Sequence, residues 1–135
     1  AEPNARSVTL YLTYGAFSCL MNGDLEGEGE EQMLRYAGEA LTGKQDHSAD
    51  VTLLHIAHHG SKGATSEAFL QKFRPEYAYV SCGRDNSYGH PHAETLQRLK
   101  EAGVQQIYDT RYDGEIVFRT NGKNLRVRTY NGIIH

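Results

Sequence analysis

Two short runs near the start of the chain largely alternate between apolar and polar residues. Apolar residues occupy every second position over 8–12 and again over 17–21, and Tyr14 and Gly15 lie between the two runs. A period of two on either side of a glycine-containing break is typical of a β-hairpin. The pattern therefore predicts a hairpin over 7–22, which is followed at once by Gly23 and Asp24.

The rest of the chain changes repeatedly between helical spacing and short apolar runs. Carboxylates over 26–31 favour the first turn of a helix, because the helix dipole places partial positive charge there. The predicted elements, in chain order, are a helix carrying Met33, Leu34 and Ala37, a loop over 38–50, a strand over 51–57, a helix capped by Thr65 or Ser66, a strand over 76–82, a helix that opens at Pro91 and closes at Gly103, a strand over 104–108, and a hairpin of strands 115–120 and 123–129 joined at Asn121–Gly122. Strands that alternate with helices, flanked by hairpins, indicate an α/β fold with a mixed β-sheet and flanking helices.

Length and composition fit one small domain covering residues 1–135. The chain is 39% hydrophobic and carries a formal net charge of −3. No apolar run approaches the roughly 20 residues of a membrane span, and Cys19 and Cys82 are too few for a disulfide scaffold. The weak acidity argues against binding nucleic acid through net charge alone, so a polyanionic substrate would need a local site.

The residues with chemical potential gather where the predicted strands end. Asp24 follows the first hairpin, His-His-Gly-Ser at 58–61 follows the next strand, and a histidine-containing loop at 86–92 follows the one after it. Loops beyond strand ends line the ligand crevice of open α/β sheets, so the three are expected to converge. Carboxylate oxygens and imidazole nitrogens in one place are the ligand types of zinc, manganese or iron sites.

Each cluster also has a purely structural interpretation. Asp24 could cap the helix that follows it, and the loop at 86–92 could be only a proline-led helix start with Tyr88 packed beneath it. The pair His58–His59 could lie on the surface, although adjacent strand residues point to opposite faces and at least one ring should then face the crevice. Three other histidines are expected to be surface or hydrogen-bonded residues: His47, His55 and His135.

The order of these motifs along the chain is distinctive. It runs from Gly-Asp and a glutamate-rich helix to His-His-Gly-Ser, then a helix, Pro75 and a strand, then Asn86-x-Tyr88-Gly89-His90-Pro91, and last a hairpin led by Gly114. This succession resembles the later half of the ComEC-type metallo-β-lactamase superfamily, hydrolase domains attached to the bacterial DNA-internalisation channel protein, with free-standing relatives. The resemblance covers about residues 4–130 and implies the C-terminal half of an αββα fold.

The resemblance also implies residue roles. Asp24 matches a metal-bridging aspartate and His90 a late metal-binding histidine. His58 and His59 match a catalytic pair beside the metals, which either contacts the scissile phosphate or joins the metal shell. The substrate side is assigned to Ser61, Asn86 and Tyr88. The implied cofactor is a divalent metal, zinc or alternatively manganese, whose bound water would attack a phosphodiester.

One feature of that superfamily is missing from these residues. Its first half carries an H-x-H-x-D-H signature that supplies most metal ligands, and no such pattern occurs here. We therefore expect the chain to be the C-terminal portion of a larger domain, with an incomplete metal site and no hydrolase activity by itself. A half of this fold would also expose an apolar sheet face, through which a homodimer could form.

Three functions remain open from the sequence. The first is a fragment of a metal-dependent nuclease or phosphodiesterase that takes part in DNA uptake, acting on DNA beside the membrane channel domain of its parent protein, on the extracytoplasmic side. The second is a fragment of a free-standing phosphoester hydrolase of the same fold. The third is a non-catalytic binding module with a degenerate metal site. The basic run of the last hairpin fits either phosphate contacts or a solvated face; it comprises Arg119, Lys123, Arg126 and Arg128.

Overall fold

A computed structural model describes residues 6–36 and 50–130 of the chain. Its strands are β1 (Leu10–Tyr14), β2 (Phe17–Met21), β3 (Leu53–His55), β4 (Tyr77–Val80), β5 (Gln106–Asp109), β6 (Ile116–Thr120) and β7 (Leu125–Thr129). Its α-helices are α1 (Gly27–Tyr36), α2 (Glu67–Phe73), α3 (Ala93–Glu101) and the single turn α4 (Thr110–Asp113), and a 3-10 helix covers Ala57–Gly60.

Five strands form one mixed sheet in the order β1-β2-β3-β4-β5. The first two are an antiparallel hairpin, and β2, β3, β4 and β5 run parallel to one another. Each parallel step returns through a helix, and such crossovers share one handedness, so helices between successive neighbours lie on one face of the sheet. The carboxyl ends of four strands consequently meet at one edge.

The main core lies between this sheet and α1, α2 and α3. Its fully buried side chains include Leu20, Leu54, Ile56, Phe69, Phe73, Val80 and Leu99. Ser66 caps α2 by accepting a hydrogen bond from the Phe69 amide at 3.1 Å. Gly103 follows the last turn of α3 at φ +89°, the left-handed conformation that glycine adopts without steric cost.

The second hairpin, β6–β7, covers part of the opposite face of the sheet. The Phe118 ring packs against Tyr79 and Tyr108, with centroid distances of 5.3 and 5.5 Å. The hairpin is fixed at its tip because the Ala16 amide donates to the Gly122 carbonyl at 2.7 Å. A second small core forms beneath it and buries Phe17, Cys19 and Leu53.

The structure confirms both predicted hairpins, the three predicted helices, and an α/β fold with a mixed sheet; the metallo-β-lactamase arrangement itself stays a prediction. The predicted strand over 51–57 is shorter, since residues 57–60 turn into the 3-10 helix. The last hairpin has a four-residue loop, not a two-residue turn, because the Asn121 side chain accepts from the amides of Lys123 and Asn124. The predicted loop over 38–50 lies almost wholly outside the described residues, as do Ala37, His47 and His135.

The β1 side of the sheet face is not covered by the second hairpin. Val8, Leu10 and Leu12 are 75%, 57% and 53% exposed. This surface is the described part of the apolar face through which the sequence predicts a homodimer, and that association stays a prediction. No helix among the described residues is long and apolar enough to cross a membrane.

Candidate functional site

Three loops converge at the edge where the parallel strands end, as the sequence predicts. The Gly23–Asp24 turn follows β2, the His58–Ser61 segment follows β3, and the 86–92 loop follows β4. They are joined by backbone hydrogen bonds, because the His58 amide donates to the Gly23 carbonyl at 2.9 Å and the His92 amide to the Gly60 carbonyl at 3.0 Å.

The His58–His59 pair adopts an unusual backbone conformation. Both residues lie in the left-handed region, with φ of 49° and 54°, which costs non-glycine residues of the order of 1–3 kcal/mol each and is concentrated at functional sites. The strand geometry from which at least one ring was expected to face the crevice does not apply, because the pair lies in the 3-10 helix. The left-handed turn instead brings both rings near His90, at centroid distances of 5.6 and 6.2 Å.

His90 lies at the centre of a cluster of aromatic rings. It is 8% exposed, and its ring also contacts His92 at 4.7 Å and Tyr88 at 5.6 Å between centroids. Within residues 6–36 and 50–130 no hydrogen bond reaches either nitrogen of the His90 ring. The described residues therefore leave both ring nitrogens of His90 open to a ligand.

The neighbouring histidines use their ring nitrogens differently. His58 Nδ1 lies 3.1 Å from Glu26 Oε2, which fixes the orientation of that ring. His59 Nδ1 donates to the Ser81 carbonyl, so the neutral ring keeps Nε2 as an acceptor toward the site. His92 is fully engaged, since its Nδ1 accepts from the Lys62 amide at 2.9 Å and its Nε2 donates to the Tyr88 carbonyl at 3.1 Å.

The 86–92 loop is closed by the Asn86 side chain. Its amide donates to the carbonyls of Gly83 and His90, and its oxygen accepts from the His90 amide at 2.9 Å. Tyr88 is 75% exposed and stacks on His90 with an interplanar angle of 19°. A small cleft lies beside this loop and is lined by His59, Cys82, Gly83, Asn86, Tyr88 and His90.

Burial and neighbouring charges disfavour protonation of two histidines at this edge. Burial lowers the pKa of His90 below its usual 6.5, and His92, His58 and His59 lower it further, against a smaller opposing effect of Glu26. Burial also lowers the pKa of His55, with His59 acting in the same direction and Asp24 against it. Both rings are therefore held as neutral imidazoles, the form that binds metals or accepts protons.

The remaining predicted site residues lie on the same edge but outside the ring cluster. Asp24 is half-buried, and its amide donates to the Ser7 hydroxyl at 3.2 Å. Ser61 accepts from the Gly63 amide at 3.3 Å, so its hydroxyl supports its own turn. The assigned roles of Asp24 in metal binding and of Ser61, Asn86 and Tyr88 in substrate binding stay predictions.

Sequence reasoning missed the residues that hold the loop after His-His-Gly-Ser in place. Glu30 is buried in α1 and accepts from the amides of Thr65 and Ser66 at 2.7 and 3.0 Å. Arg98 of α3 donates to the carbonyls of Lys62, Ala64 and Thr65. Both are ordinary helix residues in the sequence, and no local pattern marks contacts to a segment more than 30 positions away.

A fourth strand end also supports the site and was not predicted. The Cys82 amide donates to the Thr110 hydroxyl, which donates in turn to the Cys82 carbonyl, both at 3.0 Å. Asp109 is buried and binds the Arg111 guanidinium through both of its oxygens. These contacts fix the segment that begins the 86–92 loop to β5.

No group of three or more histidine, cysteine, aspartate or glutamate side chains is arranged to hold an ion among residues 6–36 and 50–130. Three protein ligands are about the minimum of a catalytic zinc site. Taken alone, the described residues therefore supply individual donors and not a complete site.

Comparison with known proteins gives a consistent set of relatives. No family model matches the chain. It is 36% identical over 119 residues to ComE operon protein 3 of Bacillus subtilis, and the aligned residues make up 88% of this chain and 14% of the relative. It is 32% identical over 132 residues to competence protein ComA of Neisseria gonorrhoeae, with 96% and 18% covered. It is 33% identical over 96 residues to recombination protein 2 of Haemophilus influenzae, with 71% and 11% covered.

These matches each cover most of this chain and a small part of the relative. The chain spans less than a fifth of the length of these three proteins. It is therefore related in sequence to one segment of bacterial competence proteins.

Proposed function

We propose that this chain forms the histidine-bearing part of a hydrolase domain that acts on DNA phosphodiesters during uptake in competence. The observation that carries the proposal is the buried His90 ring, which has no hydrogen-bond partner among the described residues and forms a triangle with the rings of His58 and His59 at the carboxyl edge of the sheet. The relationship to competence proteins supports the substrate class. The same proposal includes the location of the chain, which is beside a membrane channel domain on the extracytoplasmic side.

The chain's own residues suit phosphodiester chemistry. His58 is oriented by Glu26 and can contact the non-bridging oxygens of the scissile phosphate or deliver a proton to the leaving oxygen. His59 presents Nε2, because Ser81 holds its other nitrogen. Imidazole side chains are suited to proton transfer near neutral pH.

The proposal includes a divalent metal, zinc or manganese, that this chain holds only in part. Asp24 and His90 are the donors assigned to it, and further ligands have to come from outside the described residues. The described donors alone do not make up a complete site for an ion.

The experiment compares the chain alone with the chain joined to the segment that precedes it in a full-length competence protein. Both are assayed for hydrolysis of bis(p-nitrophenyl) phosphate with zinc or manganese. We expect activity only in the joined protein, a loss of at least about 100-fold in His58→Asn and His59→Asn, and weaker zinc binding in Asp24→Ala and His90→Ala.

Thermal unfolding of each variant serves as the control, since a variant that keeps its transition has lost chemistry and not structure. A joined protein that binds zinc identically with and without Asp24 and His90, and that hydrolyses nothing, would favour the non-catalytic binding module. Activity of the chain alone would overturn the expectation of an incomplete site.

A further inference from the structure

The outward face of the β6–β7 hairpin carries a row of arginines without acidic partners. Arg119 lies directly opposite Arg126 in the strand register, and Arg128 lies two positions further along β7. All three are exposed, and no ion pair joins any of them to a carboxylate in the described part of the chain. Side chains at i and i+2 of a strand lie on one face, about 7 Å apart.

This arrangement is unfavourable unless an anion binds to it. Like charges directly opposite each other in a hairpin are destabilising. Over 114–130 the chain has four basic side chains and one acidic, Glu115, for a net charge of +3, whereas the whole chain carries −3. Positive charge is therefore concentrated on this hairpin, in a protein whose remainder is acidic.

An aromatic ring continues the row of arginines. Tyr130 directly follows β7, is 81% exposed, and shares the outward parity of Arg126 and Arg128. Its amide donates to the Glu115 carbonyl at 2.8 Å, which fixes the backbone there. Guanidinium groups that bind phosphates, followed by an exposed ring that can stack on a base, are the two elements of single-strand binding surfaces.

We propose that Arg119, Arg126, Arg128 and Tyr130 form a binding surface for single-stranded nucleic acid, separate from the histidine cluster. The choice of nucleic acid as the ligand rests on the proposed function. The surface would add to that function by holding the strand at a distance from the reacting bond. An anionic lipid surface fits less well, since the outward face offers only the half-buried Val117 as an aliphatic side chain for insertion.

The test is binding of a fluorescent 20-nucleotide single strand, followed by anisotropy in EDTA between 50 and 300 mM salt. Each phosphate contact contributes about 0.7 to the slope of log K against log salt, so Arg126→Gln/Arg128→Gln should lower the slope by about 1.4. If the variant and the unmodified chain bind equally at 1 M salt, this slope difference makes the affinity of the variant about 60-fold lower at 50 mM salt and about 10-fold lower at 200 mM salt. Tyr130→Ala should cost about 10-fold with the slope unchanged.

The matched control is Arg74→Gln/Lys100→Gln, which removes the same charge from the helix side of the molecule. Arg74 is an exposed partner of Asp50, and Lys100 is exposed on α3. The control should change affinity less than threefold. Equal losses in both double variants, absence of binding by the unmodified chain, or tighter binding to vesicles of anionic lipid than to the oligonucleotide would each overturn the proposal.

The two proposals fail separately, because the binding assay contains neither metal nor hydrolysis. Arginine-dependent binding without hydrolysis by the joined protein would refute the proposed function alone, and hydrolysis without arginine-dependent binding would refute this surface alone.

Discussion

Replacing Gly60 with alanine should separate the two loops that form the histidine cluster. A Cβ at this position would lie 2.4 Å from the Cβ and 2.9 Å from the Cα of Pro91, which follows His90. Gly60 also has φ of +82°, where an L-residue is strained. The substitution therefore adds a steric overlap to an unfavourable backbone conformation, at the point where the His58–Ser61 segment contacts the 86–92 loop.

The expected loss of stability is the sum of these two effects. A left-handed non-glycine residue costs roughly 1–2 kcal/mol, and overpacking of a well-packed site costs roughly 1–3 kcal/mol. We expect Gly60→Ala to lower the free energy of unfolding by about 2–5 kcal/mol. The matched control is Gly103→Ala, because Gly103 has φ of +89° and nothing within 4 Å of the added Cβ; it should lose only about 1–2 kcal/mol.

Urea denaturation followed by circular dichroism measures both variants. The difference between them isolates the contact with Pro91, since both carry the backbone cost. Equal losses in Gly60→Ala and Gly103→Ala would refute the reasoning, because the loops would then not be packed against each other at this glycine.

Two further changes test other supports of the site. Glu30→Gln places an amide opposite a backbone N–H donor and should lower the free energy of unfolding by about 2–3 kcal/mol. The control Glu31→Gln, exposed on the same helix, should change it by no more than about 0.5 kcal/mol. Similar urea midpoints for the two variants would contradict the role of Glu30. The pKa values of His90 and His55 are lowered in the folded state. Below pH 6.5 the unfolded chain therefore binds more protons than the folded chain does. The free energy of unfolding should be highest above that pH and should decline as the pH falls toward 5. Urea midpoints between pH 5 and 7.5 measure this decline, which should be shallower in His90→Asn, and a midpoint that rises on acidification would show that the rings are not held neutral.

Local sequence signals were sufficient for the elements and for the convergence of the three loops. Alternation predicts the first hairpin, and the Ser66 cap contact matches one of the two residues that the sequence proposes. The convergence of three loops follows from topology, because parallel strands joined by helices bring their carboxyl ends to one edge. These inferences need only the short-range pattern and the handedness of the crossovers.

The orientation of the side chains could not be predicted in the same way. The left-handed conformation of His58 and His59 opposes their local preference, so it depends on contacts that hold the segment from elsewhere. Gly23 binds the His58 amide, Glu26 binds the His58 ring, and Ser81 binds the His59 ring. None of these partners is recognisable from the residues around the pair.

The contrast between His90 and His92 shows what such distant contacts decide. The two histidines are separated only by Pro91 and have similar local sequence, yet the Lys62 amide and the Tyr88 carbonyl engage both ring nitrogens of His92. The His90 ring is instead enclosed by Tyr88 and the other histidines, and no hydrogen-bond donor or acceptor reaches it from the described residues. Since a nitrogen already bonded to the backbone cannot bind a ligand, the same motif yields one structural histidine and one that is available to the site.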